Sequence, residues 1–158
     1  MGVDPGLSGT GYAVLQADGA GLKLCEAGSI RTGSRQPLEV RLEEIFSRLE
    51  QLLEKWRPQT MVLEDLYADY SFPRTAIVMG HVRGAICLAC RRAGARLVEV
   101  APATLKQALT GSGRASKEQV HRAVLRLLAP QCFAGSHHVS DAVALALVGA
   151  FRGKALRC

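Results

Sequence analysis

The chain has 158 residues, of which 48% are hydrophobic and 22% are charged, and its formal net charge is +6. A chain of this size buries roughly two-thirds of the surface that it exposes when unfolded, so we expect one domain over residues 1–158 with its own core. It has no run of about 18 apolar residues and no apolar N-terminal signal, and its five cysteines cannot all pair, so we expect a cytoplasmic protein with reduced thiols rather than a membrane or exported one.

The first third of the chain has the pattern of short strands. Residues 1–4 form an apolar segment that ends at an acid, and residues 11–16 and 22–32 are rich in β-branched and aromatic side chains. Residues 18–21 lie between these two segments and fit a hairpin connection. We therefore predict that the chain opens with antiparallel strands.

Helices and buried strands alternate from residue 38 onward. Apolar residues three or four apart over 38–56 predict an amphipathic helix that ends before Pro58. A short apolar strand over 60–63, a long helix over 73–93 and a strand over 96–100 follow. This order of elements predicts a mixed α/β sheet flanked by helices.

The last third is predicted to be helical. Pro102 suits the first position of a short helix, and Ser116 with Gln119 fits a capping box for a helix that continues to Leu128. Residues 138–151 are apolar almost all round, so we expect this helix to be buried against the sheet.

Basic residues are concentrated in the second part of the chain. Residues 1–66 contain seven basic and ten acidic side chains, whereas residues 67–158 contain 13 basic and four acidic ones. Fifteen of the twenty cationic side chains are arginine, whose planar guanidinium suits phosphate. We expect a polyanionic partner, bound with an affinity that falls steeply as salt is added.

Three acids lie where burial disfavours a carboxylate. Asp4 and Glu64 each follow an apolar strand, and Asp141 lies three residues after His138 at the start of the apolar last helix. If the acids converge, a hard divalent cation such as Mg²⁺ or Mn²⁺ would relieve their repulsion, because carboxylates are its preferred ligands. Each residue also has an ordinary structural explanation, as a turn residue, a surface acid, a helix N-terminal acid or a capping histidine, and the sequence leaves these alternatives open.

Five separated blocks of the sequence resemble the RuvC family of Holliday junction endonucleases. They are Val3-Asp4-Pro5-Gly6 with Gly9-Thr10-Gly11-Tyr12, Val62-Leu63-Glu64-Asp65-Leu66-Tyr67, Leu105-Lys106-Gln107, Gly111-Ser112-Gly113-Arg114-Ala115-Ser116-Lys117, and Ser136-His137-His138-Val139-Ser140-Asp141-Ala142-Val143-Ala144-Leu145-Ala146. The resemblance implies an RNase H-like fold with a mixed five-stranded sheet flanked by helices. It also implies an endonuclease that resolves four-way DNA junctions by symmetric paired nicks, through hydrolysis of phosphodiesters by two metal ions.

The resemblance further implies roles for individual residues. The metal-binding set, with two Mg²⁺ or Mn²⁺ ions, would be Asp4, Glu64, His138 and Asp141. The lysines beside this set, in contact with phosphate or stabilising charge, would be Lys106 and Lys117. The residues expected to contact DNA are Tyr67, which would stack on a base, together with Arg74, Arg114 and Lys117.

Two features depart from the family pattern. His138 stands where many members carry aspartate, and because imidazole favours softer ions we predict a preference for Mn²⁺ and a loss of activity as His138 is protonated. Asp4 has three residues ahead of it, which leaves two alternatives: a first strand shorter than is usual in the family, or a start placed too late in the sequence.

The resemblance also implies partners. The family works as a homodimer, and a branch-migration helicase complex is the expected protein partner. We expect the dimer interface to lie on the helix that contains Met79, Val82, Gly84 and Ile86.

Two other functions stay open at this point. The chain could bind junctions without cutting them, or it could be another RNase H-like nuclease that acts on RNA–DNA hybrids or as a transposase. The acids at residues 4, 64 and 141 favour an enzyme over a binding protein, and Tyr67 with the residues after it favours branched DNA over a hybrid duplex.

Overall fold

The computed structural model describes residues 1–18, 21–65, 73–129 and 137–155. Its elements in chain order are β1 (Gly2–Asp4), β2 (Gly9–Asp18), β3 (Gly21–Arg31), α1 (Leu38–Trp56), β4 (Thr60–Glu64), α2 (Pro73–Arg92), β5 (Arg96–Val100), α3 (Pro102–Thr110), α4 (Lys117–Leu128) and α5 (His137–Ala155). The predicted elements are confirmed in type and order, although β2 and α5 are longer than predicted. Within the described ranges, no helix is both long enough and apolar enough to cross a membrane.

The strands form one mixed sheet in the order β3-β2-β1-β4-β5. β1 and β3 both pair antiparallel with β2, whereas β4 lies parallel to β1 and β5 lies parallel to β4. The mixed five-stranded sheet flanked by helices is therefore confirmed. Because β1 and β4 run in the same direction, their last residues, Asp4 and Glu64, lie at the same edge of the sheet.

Side chains that alternate along the strands divide the core between the two faces of the sheet. On one face, Val3, Tyr12 and Leu63 belong to a buried cluster with residues of α1 and α2. On the other face, Ala13 and Val62 belong to a cluster with residues of α3, α4 and α5. The chain thus forms three layers, with the sheet between two layers of helices.

α5 packs against β1 and β2 at backbone distance. A Cβ atom on Gly2 would lie 2.1 Å from the carbonyl oxygen of Ala142, and one on Gly11 would lie 2.0 Å from the carbonyl oxygen of His138. Side chains larger than hydrogen at these two positions would force the helix away from the sheet. The apolar residues 142–148 are buried in this contact, as the sequence predicts.

The exposed face of α2 differs from the one expected. Val82 and Ile86 are fully buried in the core, so an interface on this helix would have to use other residues of it. The helical period turns Ile77, Gly84 and Leu88 outward instead, and the two large residues among them are 62% and 54% exposed. Apolar residues lie on both faces of α2, but only one of these two faces is covered by the sheet.

Candidate active site

Asp4 and Glu64 are placed side by side by the pairing of β1 with β4. Gly2 is in register with Val62 and Val3 is in register with Leu63, so the next residues along the two strands are Asp4 and Glu64. Val62 points to the face covered by α5, and the two-residue period of a strand sends Glu64 to that same face. Two carboxylates therefore lie on neighbouring strands, about 5 Å apart in the backbone, beneath the start of α5.

The first turn of α5 adds an imidazole and a third carboxylate. Nδ1 of His138 lies 2.5 Å from Oδ2 of Asp4, across a sequence separation of 134 residues. Asp141 lies three residues further along α5, on the same side of the helix, and its charge raises the pKa of both Asp4 and Glu64. Asp141 therefore lies within electrostatic reach of both other acids.

The pKa values show how unfavourable this arrangement is for negative charge. Burial raises the pKa of the Asp4 carboxyl above its usual range, and the contact with His138 opposes that shift. Burial also raises the pKa of Glu64, and the charges of Asp4 and Asp141 raise it further. Positive charge placed here would relieve both burial and repulsion.

Two lysines supply part of that positive charge. Glu64, Lys106, Lys117 and Asp141 line a cavity of about 220 Å³ between α3, α4 and α5. Lys106 comes from α3, and Lys117 is the first residue of α4. The predicted capping box fixes the start of α4, because the Ser116 side chain accepts a hydrogen bond from the backbone of Gln119 and the Gln119 side chain accepts one from the backbone of Ser116.

The donor set fits a divalent cation in type and charge. Three carboxylates and an imidazole provide the oxygen and nitrogen ligands that Mg²⁺ and Mn²⁺ take in proteins. In the described part of the chain, however, no three His, Cys, Asp or Glu side chains are arranged closely enough to hold a metal ion. Asp4, Glu64 and Asp141 are near enough to repel one another, but not near enough to share one ion as they stand.

Comparison with known proteins is consistent with this geometry. Residues 1–149 match the family model for the crossover junction endodeoxyribonuclease RuvC. The chain belongs to the RuvC family. A RuvC of Rhodopirellula baltica is 42% identical over 149 residues, covering 94% of this chain and 84% of the relative. A RuvC of a Synechococcus species is 36% identical over 152 residues, covering 96% of this chain and 97% of the relative.

Solved structures place the fold in the same family. Thermus thermophilus RuvC in complex with a Holliday junction substrate superposes with a TM-score of 0.90 and 30% identity, covering 98% of this chain and 93% of that one. A yeast mitochondrial Holliday junction resolvase superposes with a TM-score of 0.68 and 13% identity, covering 98% of this chain and 78% of that one, which is a likeness of fold alone. The RNase H-like fold implied by the sequence resemblance is confirmed. RuvC proteins are metal-dependent nucleases.

The other residues predicted to contact DNA are not part of this cavity as the structure describes it. Tyr67 lies outside the described residues. Arg74 is exposed at the start of α2, and Arg114 is exposed in the loop between α3 and α4. Neither arginine lines the cavity that holds Lys106 and Lys117.

Arg83 is a supporting residue that was not predicted from the sequence. It is 7% exposed on α2, and its guanidinium donates to the backbone carbonyl of Glu64 and to the carboxylate of Glu99 on β5. The end of β4 is thereby joined to α2 and to β5 at the residue that faces the site. A charged residue next to Val82 on an apolar helix face is the signal that would have pointed to it.

Arg41 supports the backbone that follows Asp4 in a similar way. It is 9% exposed on α1, and it donates to the hydroxyl oxygens of Thr32 at 2.8 Å and Ser8 at 2.9 Å. Thr10 donates a further hydrogen bond, of 2.8 Å, to the carbonyl of Gly6. These contacts tie the segment between β1 and β2 to α1 and to the end of β3.

The raised pKa of Glu64 predicts a pH-dependent gain of stability for Glu64→Gln. Below the usual glutamate pKa of 4.5 the carboxyl is neutral in the folded and the unfolded chain, so the variant and the parent should be equally stable. As pH rises above 4.5 the unfolded chain ionises freely while burial still opposes ionisation in the folded chain, so the parent loses stability up to the raised pKa and is the less stable of the two above it. Urea unfolding at pH 4 and pH 8, with a chelator present, measures the difference.

Glu54→Gln is the matched control for that experiment, because Glu54 is exposed on α1. It should not reproduce the gain at pH 8. A Glu64→Gln variant that is equally stable or less stable than the parent at pH 8 would show that burial does not penalise this carboxylate.

Proposed function

We propose that this chain resolves Holliday junctions by hydrolysing one phosphodiester in each of two strands. The proposal rests on one observation above all, namely that Asp4, Glu64, Asp141 and His138 converge at one edge of the sheet in a chain of the RuvC family. The match to a RuvC structure that holds a Holliday junction supports the choice of substrate. Water would attack phosphorus, the P–O3′ bond would break, and the products would be a 5′-phosphate and a 3′-hydroxyl.

In this proposal, the residues of the site divide the work between metal binding and phosphate binding. Asp4, Glu64 and Asp141 would hold two divalent cations with His138, and the chemistry supplied by such a bound pair is activation of water and stabilisation of the leaving oxygen. Lys106 and Lys117 would contact the phosphate from the opposite wall of the cavity. Tyr67 would stack on a base, and Arg74 and Arg114 would contact the backbone of the DNA.

We expect Mn²⁺ to support cutting severalfold better than Mg²⁺. His138 contacts Asp4 directly and would add an imidazole nitrogen to the proposed ligand set, and nitrogen ligands favour a first-row transition ion over Mg²⁺. Rates of junction cutting measured over a concentration series of each ion test this, with His138→Asp as the matched variant. Restoring a carboxylate at residue 138 should reduce the preference, and equal rates with both ions in the parent chain would contradict it.

A homodimer would bring two such sites to one junction. A closed two-fold dimer suits a substrate with two equivalent strands, because the same surface of each subunit meets across the axis. The outward stripe of α2, defined as Ile77, Gly80, His81, Gly84 and Leu88, is the surface that best fits this role. It combines two large exposed apolar residues with two glycines whose faces have no atom within 4 Å, so a second helix could approach closely.

Leu88→Glu is expected to separate the dimer. A glutamate in the outward stripe would have to lose its water on association, and two such charges would meet across the axis. Molar mass from light scattering should fall from that of two chains to that of one, which is 16.9 kDa. Leu125→Glu is the matched control, since Leu125 is 41% exposed on α4 and should leave the mass unchanged. A dimer that survives Leu88→Glu would place the interface elsewhere.

A labelled four-way junction tests the proposed function directly. Incubated with Mn²⁺ beside a linear duplex and an RNA–DNA hybrid, the chain should introduce paired nicks at symmetric positions in the junction alone. Retention of the junction without nicks would instead indicate a binding protein, and cleavage of the hybrid would indicate a ribonuclease. A branch-migration helicase complex would be the expected protein partner in the cell.

A further inference from the structure

The outer surface of the α3–α4 pair carries a basic groove that is separate from the cavity described above. It has a volume of about 820 Å³, and its walls include Arg114, Arg122 and Arg126 together with Ser112 and Gln119. No aspartate or glutamate lines it. We propose that this basic groove binds the phosphate backbone of a DNA arm that leaves the active site, an inference that rests on the proposed function.

The arginines of the groove are not neutralised by the protein itself. Arg114, Arg122 and Arg126 are exposed, and none of them forms a salt bridge with another described residue. Glu118 is the acid nearest along α4, and its pKa is lowered mainly by the 2.6 Å hydrogen bond that its carboxylate accepts from the Ser116 hydroxyl and further by the charge of Arg122. Exposed guanidinium groups that form no salt bridge are available for phosphate, which they bind through two parallel hydrogen bonds.

The spacing of the groove matches a nucleic-acid backbone. Arg122 and Arg126 are four residues apart on one face of α4, which is about 6 Å along the helix axis. Neighbouring phosphates of one strand are separated by a similar distance, because the backbone winds around the duplex as it rises, so two of them could each meet one arginine. The hydroxyl of Ser112 and the amide of Gln119 are neutral donors of the kind that commonly contact DNA phosphates.

The position of the groove connects it to the site. The loop over residues 111–116 forms part of the groove and leads directly into Lys117, which lines the catalytic cavity. Val120, Val124 and Leu128 are buried on the opposite side of α4, so the arginines face away from the core. A strand cut at the cavity would pass over this loop and continue along the outer side of α4.

An acidic segment of a protein is the other partner that would suit three arginines. The repeating spacing, the neutral donors between the charges and the continuity with the cavity favour DNA. The comparison of two double variants separates these occupants. Arg122→Gln with Arg126→Gln removes two charges from the groove, and Arg91→Gln with Arg96→Gln removes two exposed charges near the opposite edge of the sheet.

Junction affinity is measured by fluorescence anisotropy between 50 and 200 mM salt, with every chain also carrying Asp4→Asn so that the DNA stays intact. The slope of log affinity against log salt is negative, and each lost phosphate contact makes it shallower by about 0.9. The slope of the groove variant should therefore be shallower than that of the parent by about 1.8. Over that salt range its affinity should therefore fall about twelvefold less than that of the parent. The control variant should keep the slope of the parent.

Methylphosphonate linkages, which remove the charge of single phosphates, locate the contact. Placed along one arm, they should reduce the junction affinity of the parent at two or three positions. The affinity of the groove variant should not change at those positions. A groove variant whose slope and methylphosphonate profile equal those of the control overturns the inference and would leave an acidic protein as the partner of the groove. Failure of the parent itself to retain the junction would instead overturn the proposed function.

Discussion

Asp4→Asn is expected to abolish junction cutting while leaving junction binding in place. Asp4 is 8% exposed, lies beside Glu64 and contacts His138, so it is the acid most enclosed by the rest of the site. An amide has nearly the same shape but carries no charge and is a much weaker ligand for a hard cation. Loss of several kcal/mol of transition-state stabilisation corresponds to a rate about 10³-fold lower or more. Single-turnover cleavage of a labelled junction measures the rate, and anisotropy without cleavage measures binding.

Asp65→Asn is the matched control for this variant. Asp65 is the next residue after Glu64, but it is exposed, and it does not line the cavity formed by Glu64, Lys106, Lys117 and Asp141. It should cut at a rate close to that of the parent. If Asp4→Asn cuts as fast as Asp65→Asn, the carboxylate at residue 4 has no role in hydrolysis and the nuclease site must lie elsewhere.

Gly11→Ala is expected to destabilise the fold and to slow cutting at the same time. The new methyl group would lie 2.0 Å from the carbonyl oxygen of His138, and a backbone atom cannot rotate away as a side-chain end can. Overpacking of this kind costs about 1–3 kcal/mol or more, since the first turn of α5 must move. That movement carries His138 and Asp141 away from Asp4, so the cutting rate should fall even well below the melting temperature. Urea unfolding followed by the fluorescence of the single tryptophan, Trp56, gives the free energy of unfolding.

Gly80→Ala separates this steric effect from the general effect of replacing glycine. Gly80 lies inside α2 and has no atom of its own chain within 4 Å of an added Cβ, and the comparison is made in the Leu88→Glu background so that the proposed dimer contact does not contribute. Alanine there should stabilise the helix by about 1 kcal/mol, which is about 2–4 °C in melting temperature for a chain of this length. Two variants of the same chemical type should therefore change stability in opposite directions. A Gly11→Ala chain as stable as the parent would mean that α5 does not approach the sheet as closely as described.

Asp4 and Glu64 illustrate which features can be predicted from neighbouring residues in the sequence. Both acids follow short apolar strands, and the strand pattern is a local property that depends on which side chains alternate within a few residues. The same holds for the amphipathic α1 and for the capping box formed by Ser116 and Gln119, because those contacts are made within one turn of chain. The resemblance of five separated blocks to one family then predicted that these residues belong to a single site.

The sequence did not predict which face of α2 is buried. α2 carries apolar residues on both sides, and the pattern alone did not distinguish Val82 and Ile86, which are buried, from Ile77 and Leu88, which are exposed. Arg83 was not recognised for the same reason, since its partners are the carbonyl of Glu64, 19 residues away, and the carboxylate of Glu99, 16 residues away.

The amino-acid sequence by itself determined the type and succession of the strands and helices. It also determined which charged residues lie at the ends of these elements. Local hydrogen bonding and side-chain periodicity decide these features, and both act over a few residues. Only the tertiary structure decided that β1 pairs in parallel with β4, that glycines let α5 approach the sheet, and that His138 contacts an acid 134 residues away. Such contacts depend on how whole elements pack to bury their apolar faces, and that packing is a property of the complete chain.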